Sequence, residues 1–154
     1  MSTPSPTIRV QAHDFDLQAE VDALTGGRTD IGAVVSFVGL CRGEQGKLSA
    51  LELEHYPGMA ETEMRRIADL AIERFSLIGA TAIHRHGRIE PGENIVLVIA
   101  TAPHRQAALD GANFIMDYLK TSAPFWKKEH AADGTAGNWV EAKDADDTAK
   151  DKWR

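Results

Sequence analysis

Two stretches of this chain repeat apolar residues at three- and four-residue steps, and the stretches around them do not. Met64, Ile67, Ala68, Ala71, Ile72 and Phe75 form one such series, and Ala108, Leu109, Ala112, Ile115, Met116 and Leu119 form the other. Charged residues fill the gaps, so each series is the buried stripe of an amphipathic helix. The second helix is expected to start near His104, after Thr101-Ala102-Pro103, and to run to about Lys120. The remaining patterns are those of strands. Ala33–Val38 is a β-branched and aromatic run between Gly32 and Gly39, and Leu48–Tyr56 alternates with a period of two. Ala80–Ile89 and Asn94–Thr101 flank Glu90-Pro91-Gly92-Glu93, a turn sequence that predicts a hairpin. A last short strand is expected over Asn138–Ala142. Two principal helices set among strands without regular alternation specify an α+β fold with a mainly antiparallel sheet.

Length and charge narrow the function classes. The 154 residues are read as a single domain, 1–154, that removes about two-thirds of its unfolded surface from water. Residues 143–154 read as a polar, mobile tail. No segment approaches the roughly 18 consecutive apolar residues of a membrane span. The Met1–Val10 segment lacks a basic stretch followed by an apolar run, so a cytoplasmic location is expected. A net charge of -6 argues against nonspecific nucleic-acid binding, which draws its affinity from Lys and Arg. Cys41 is the single cysteine, which excludes an intrachain disulfide. The glycines at 26, 27, 32, 39, 43 and 46 match neither a Walker nor a dinucleotide spacing, so no nucleotide cofactor is implied.

The cations, in contrast, are clustered: Arg42, then His104 and Arg105, then Lys120, Lys127 and Lys128. His104-Arg105 opens a helix, where unpaired N–H groups and the positive dipole end favour a phosphate, although a cap and a solvated charge would look the same. Lys120 and Lys127 bracket Thr121-Ser122-Ala123-Pro124-Phe125-Trp126, and Phe125–Glu129 reads as a turn or loop after Pro124. Lysines so placed can exchange protons with a substrate, but spacing alone favours Lys120 as a complement to the helix C-terminal dipole. His84 and His86 would share a strand face. Arg85 and Arg88 between and beside them disfavour a metal, so they read as structural, and no metal site is expected. Cys41 reads as a small apolar residue without a nucleophilic role.

The run Phe114-Ile115-Met116-Asp117-Tyr118-Leu119-Lys120-Thr121, continued by Ala123-Pro124-Phe125-Trp126-Lys127-Lys128-Glu129, closely resembles the signature of the molybdopterin synthase catalytic (large) subunit family. Four further stretches occur in the family's order. They are Leu53-Glu54-His55-Tyr56-Pro57-Gly58-Met59, Ile83-His84-Arg85-His86-Gly87, Ala102-Pro103-His104-Arg105 and Trp139-Val140-Glu141-Ala142. The resemblance spans roughly Gly32 to Ala142 and leaves residues 1–30 weakly matched. It implies an α/β hammerhead-type fold and a sulfurtransferase working as a homodimer. A small ubiquitin-like sulfur carrier binds each end, giving a heterotetramer. Two sulfurs pass from the carrier's C-terminal Gly-Gly thiocarboxylate to cyclic pyranopterin monophosphate, forming the molybdopterin dithiolene. This chain ends Lys152-Trp153-Arg154, so the carrier is expected as a separate protein. By motif, Lys120 and Lys127 are the catalytic lysines, and Arg42, His104 and Arg105 bind the phosphate and pterin. Leu40, Cys41, Lys128 and Glu129 adjoin them as pocket residues. The competing reading is a noncatalytic module that docks a ubiquitin-like tail.

Overall fold

The computed structural model describes residues 4–140 and 150–153. In chain order the elements are β1 (Thr7–Gln11), α1 (Leu17–Thr25), β2 (Ala33–Leu40), β3 (Leu48–His55), α2 (Met59–Phe75), β4 (Gly79–Arg85), β5 (Gly87–Ile89), β6 (Asn94–Ala102), α3 (Arg105–Ser122) and β7 (Phe125–Ala131), with a 3₁₀ turn at Glu44–Gly46. A four-stranded sheet has the order β1-β4-β6-β2 and a three-stranded sheet the order β5-β3-β7. All pairings are antiparallel except that of β1 with β4. The architecture is therefore α+β and mainly antiparallel, as the pattern of stripes and runs requires.

Strand β6 reads as continuous apolar sequence because both faces of its sheet are covered. Val96, Val98, Ala100 and Ala102 lie in the core beneath α2 and α3, with Met64, Ile67, Ile72, Ala108, Ile115 and Leu119. Leu97 and Ile99 face the other way, onto Phe15 and the α1 residues Val21 and Leu24. Helix α3 packs so closely that a Cβ on Gly111 would stand 2.8 Å from Leu77 Cδ1, which explains a glycine in mid-helix despite its propensity cost. Leu109, counted in the apolar stripe, is exposed instead.

Three local expectations are corrected. Ala80–Ile89 is not one strand. The chain breaks after Arg85, Gly87 takes φ +90, and the segment leaves the first sheet as β4 to enter the second as β5. The hairpin predicted around Pro91-Gly92 survives in the antiparallel pairing of β4 with β6. Phe125–Glu129 is not a loop, because after Pro124 the chain lies along β3 with His55 opposite Phe125 and Leu53 opposite Lys127. Such pairing is a tertiary effect that the local sequence does not carry. Of Asn138–Ala142, Val140 bridges Lys127, whereas Glu141 and Ala142 lie outside the described residues. Helix α1 and strand β1 add structure to the weakly matched first thirty residues.

Residues 150–153 of the polar tail are described, and they pack against α2 and α3. Trp153 sits edge-on to Phe75 and Phe114 and donates from Nε1 to Asp117 Oδ2 at 2.5 Å, while Arg74 donates to its carbonyl at 2.6 Å. Trp153→Ala removes a half-buried aromatic and leaves Asp117 with one partner fewer. The expected cost is about 2 kcal/mol, less than full burial of a Trp would imply, or roughly 4–8 °C in Tm. Thermal unfolding of the variant checks this, and an unchanged Tm would show that the contact adds nothing.

Candidate active site

Helix α3 organises the site because it follows β6 directly and runs back along it. Its first residue, Arg105, lies by the end of β6, where Gly32 N–H donates to the Ala102 carbonyl at 3.0 Å and a Cβ on Gly32 would meet Pro103 O. Its last turn carries Lys120 to the opposite end, where the Lys120 charge is felt at His84 in β4. Fifteen residues of α-helix at about 1.5 Å each separate Arg105 from Lys120 by roughly 22 Å. His104 and Arg105 therefore do not meet Lys120 within one chain.

At the Lys120 end, strand β7 presents its own cations on two faces. Phe125, Lys127 and Glu129 alternate with Trp126, Lys128 and His130. The first set lies opposite His55, Leu53 and Leu51, on the side of the small core formed by Cys41, Leu53 and Ile89. Lys127 thus shares a face with Phe125, whose ring stacks on His84 at 3.8 Å between centroids and 17° between planes. Lys128 lies on the other face, with its Nζ 4.7 Å from the centre of the Trp139 ring, and His130 there meets Glu52 at 2.9 Å. The sequence grouped Lys127, Lys128 and Glu129 by adjacency. The pleat separates Lys128 from the other two.

Arg42 and Cys41 arrive from β2. The register of β2 against β6 shifts between Gly39 and Leu40, a bulge that turns the strand end. Cys41 N–H then donates to the Glu93 carbonyl at 2.9 Å, and Gly92 N–H donates to the Cys41 carbonyl at 2.8 Å. The thiol is buried, and burial, with Glu93 next in effect, pushes its pKa up and keeps it protonated. It packs rather than attacks. Leu40 is exposed, and the Arg42 side chain is 85% exposed, 3.3 Å from Glu44 across a loop in which Glu44 and Gln45 adopt positive φ. Its guanidinium is free to swing toward an anion for little more than a surface ion pair.

His104 and Arg105 are exposed at the head of α3, whose first turn holds no acidic residue. The N-terminal N–H groups and the dipole there have no carboxylate in that turn to offset them. The structure thus brings Lys120 within electrostatic reach of His84, sets Phe125, two residues before Lys127 on the same face of β7, against that ring, and leaves His104 and Arg105 at the far end of α3.

The sequence reading placed His84 and His86 on one strand face as structural residues. His84 and His86 do not share a strand: His84 belongs to β4, while His86 falls in the break before β5, 4.5 Å from His55 between ring centres. Desolvation, with Lys120, His55 and His86 adding to it, depresses the His84 pKa to about 4, so this ring is neutral near pH 7. Alternation of His84 with Arg85 along β4 was the available signal, since it puts His84 on the helix-covered face with Ala80 and Ala82. A cleft of about 370 Å³ also opens beside this end, lined by Gly58, Met59, Thr62, Glu63, Ser122 and Pro124.

The family model described as MoaE protein matches residues 10–122. A molybdopterin synthase catalytic subunit of Rhizobium meliloti is 73% identical over 147 residues, covering 96% of this chain and 95% of that one. The chain belongs to the MoaE family. A Mesorhizobium japonicum molybdopterin synthase catalytic subunit is 66% identical over 150 residues, with 97% and 94% covered. Among solved structures, a molybdopterin biosynthesis MoaE protein from Burkholderia ambifaria superposes with a TM-score of 0.83 at 46% identity, covering 96% of this chain and 97% of that one. Molybdopterin synthase from Staphylococcus aureus superposes with a TM-score of 0.77 at 26% identity, over 91% and 98%. The MoaE match itself holds Arg42, His104, Arg105 and Lys120, and it stops before β7 and Lys127. The MoaE relatives, aligned over nearly the whole chain, extend the likeness across β7.

Proposed function

We propose that this chain is the catalytic subunit of a molybdopterin synthase. It moves sulfur from the C-terminal thiocarboxylate of a small carrier protein to cyclic pyranopterin monophosphate. The approach of two lysine-bearing elements, the end of α3 and the inner face of β7, to one neutral histidine is the observation that carries this reading. In each transfer the carrier sulfur bonds to a pterin side-chain carbon as a carbon–oxygen bond there breaks, the oxygen leaving with the opened phosphate or as water, and a further water then cleaves the acyl–sulfur bond. Sulfur is left on the pterin and the carrier returns as a carboxylate. Opening the cyclic phosphate and hydrolysing the acyl intermediate both develop negative oxygen and both require proton transfer. Lys120 and Lys127 supply the charge and the proton, and Arg42 contributes a multi-donor contact for the phosphate.

The separation of roughly 22 Å along α3 supports a shared site in a homodimer, in which His104 and Arg105 of one copy complete the Lys120 end of the other. With one carrier per catalytic subunit the assembly is a heterotetramer. The reaction belongs in the cytoplasm, in keeping with a buried, unpaired Cys41 and with the absence of a membrane-crossing helix among the described residues.

Mixing the chain with a thiocarboxylated carrier and cyclic pyranopterin monophosphate is expected to yield the dithiolene product, with the carrier recovered as plain carboxylate by mass spectrometry. Carrier binding without product would favour the noncatalytic docking module instead.

A further inference from the structure

We propose that His84 is a positioning residue for Lys120, its Nε2 accepting a hydrogen bond from the lysine ammonium and holding that group toward the face of β7 that carries Lys127. The tautomer follows from the hydrogen bonding. His84 Nδ1 lies 2.8 Å from the Arg85 carbonyl oxygen, which can only accept, so Nδ1 carries the proton. A neutral imidazole protonated at Nδ1 has its lone pair at Nε2.

The residue that supplies this carbonyl is anchored through its side chain. Arg85 is buried, and its guanidinium donates to the Ala12 and Asn94 carbonyls at 2.8–3.1 Å. The ring plane is set by the stack on Phe125, the first residue of β7. His84 therefore joins the two sheets at the point where the two catalytic elements meet. The groups that face it are Lys120 from α3, His55 from β3, Phe125 from β7 and His86 from its own segment.

A neutral acceptor suits this place. Two lysines converging on one substrate repel each other, and a carboxylate between them would hold an ammonium at the expense of its charge. An imidazole lone pair orients the ammonium while leaving its proton and charge available to a developing oxyanion.

The test compares His84→Phe, which keeps a ring for the stack but has no lone pair, with His84→Gln, which returns an acceptor near the Nε2 position. This kinetic arm rests on the proposed sulfur transfer. With Tm and carrier binding near wild type, His84→Phe is expected to lower kcat at least about tenfold while the KM for the pterin changes by less than about threefold, and His84→Gln to recover most of kcat. A second arm is independent of activity: the ¹⁵N imidazole spectrum of the intact chain near pH 7. There Nε2 of His84 should be unprotonated, and its resonance should move downfield when Lys120→Ala removes the donor. Failure of every variant and of the wild type to make product would strike the functional reading and leave the spectrum to judge His84. The proposal is overturned by equal loss in both variants, by undiminished turnover in His84→Phe, by a protonated Nε2, or by a resonance indifferent to Lys120→Ala. If His84→Phe does not fold, His84→Gln and the spectrum decide.

Discussion

Lys120→Arg is expected to bind both carrier and pterin phosphate and to make almost no product, with kcat reduced by about a hundredfold or more, the range typical for loss of a general acid or base. The substitution keeps a positive charge at the end of α3, so helix dipole complementarity and electrostatic attraction of the phosphate are preserved. It removes an amine that can give and regain a proton, because guanidinium stays protonated at any working pH. Charge stabilisation and proton transfer therefore forecast opposite outcomes for one variant. The position is exposed in the last helical turn, and arginine is as good a helix former as lysine, so the change in stability should stay within about 0.5 kcal/mol. A fall in kcat with little change in the KM for either ligand would mark an interaction made in the transition state alone. Single-turnover measurement of carrier sulfur loss, beside direct titration of both ligands, separates the possibilities. If Lys120→Arg keeps most of its turnover, Lys120 is an electrostatic contact and Lys127 becomes the proton donor to test.

Why Lys120 was legible in the sequence and His84 was not has a physical explanation. The apolar stripe through Ala112, Ile115 and Leu119 sets the phase of α3, and that phase is enough to place Lys120 in its last turn. Likewise, the position of His104 and Arg105 at the head of the helix follows from Pro103 and the start of the stripe. The β7 residues were different. Pro124 and two aromatics signal a turn locally, and only the register of Leu53 with Lys127 and His55 with Phe125 makes the segment a strand. Without that strand there is no pleat, and without the pleat Lys127 and Lys128 appear equivalent. The role of His84 depends further on a long-range stack between two sheets and on its hydrogen bond to the carbonyl of buried Arg85. No period within β4 encodes either. Residues 1–30 were opaque for a related reason: β1 exists by parallel pairing with β4, and α1 buries none of its residues fully, so its apolar signal is weak.

The largest expected effect in a mixture comes from pairing variants that are each nearly inactive. Arg105→Ala should lose pterin affinity by roughly tenfold to a hundredfold, the value of a charge-assisted hydrogen bond, which leaves it nearly inactive at pterin concentrations well below the wild-type KM, where the mixtures are assayed, and Lys120→Ala should lose turnover. If Arg105 serves the partner's Lys120, a heterodimer of the two variants contains one site with both residues intact and one with neither. Random exchange makes about half of the dimers mixed, so activity should climb from the few-per-cent level to roughly a quarter of wild type. Lys120→Ala mixed with Lys127→Ala supplies the control. The proposed site takes both lysines from one chain, so every site in that heterodimer lacks one lysine and no recovery is expected. Arg42→Ala mixed with Lys120→Ala tests whether the loop after β2 belongs to the same half. Native mass spectrometry establishes that exchange has taken place before activity is read. Recovery in the Arg105 mixture together with none in the lysine mixture would establish a site built from two copies. No recovery in either, with exchange demonstrated, would mean that His104 and Arg105 bind something other than the substrate of Lys120, and the shared site would have to be given up.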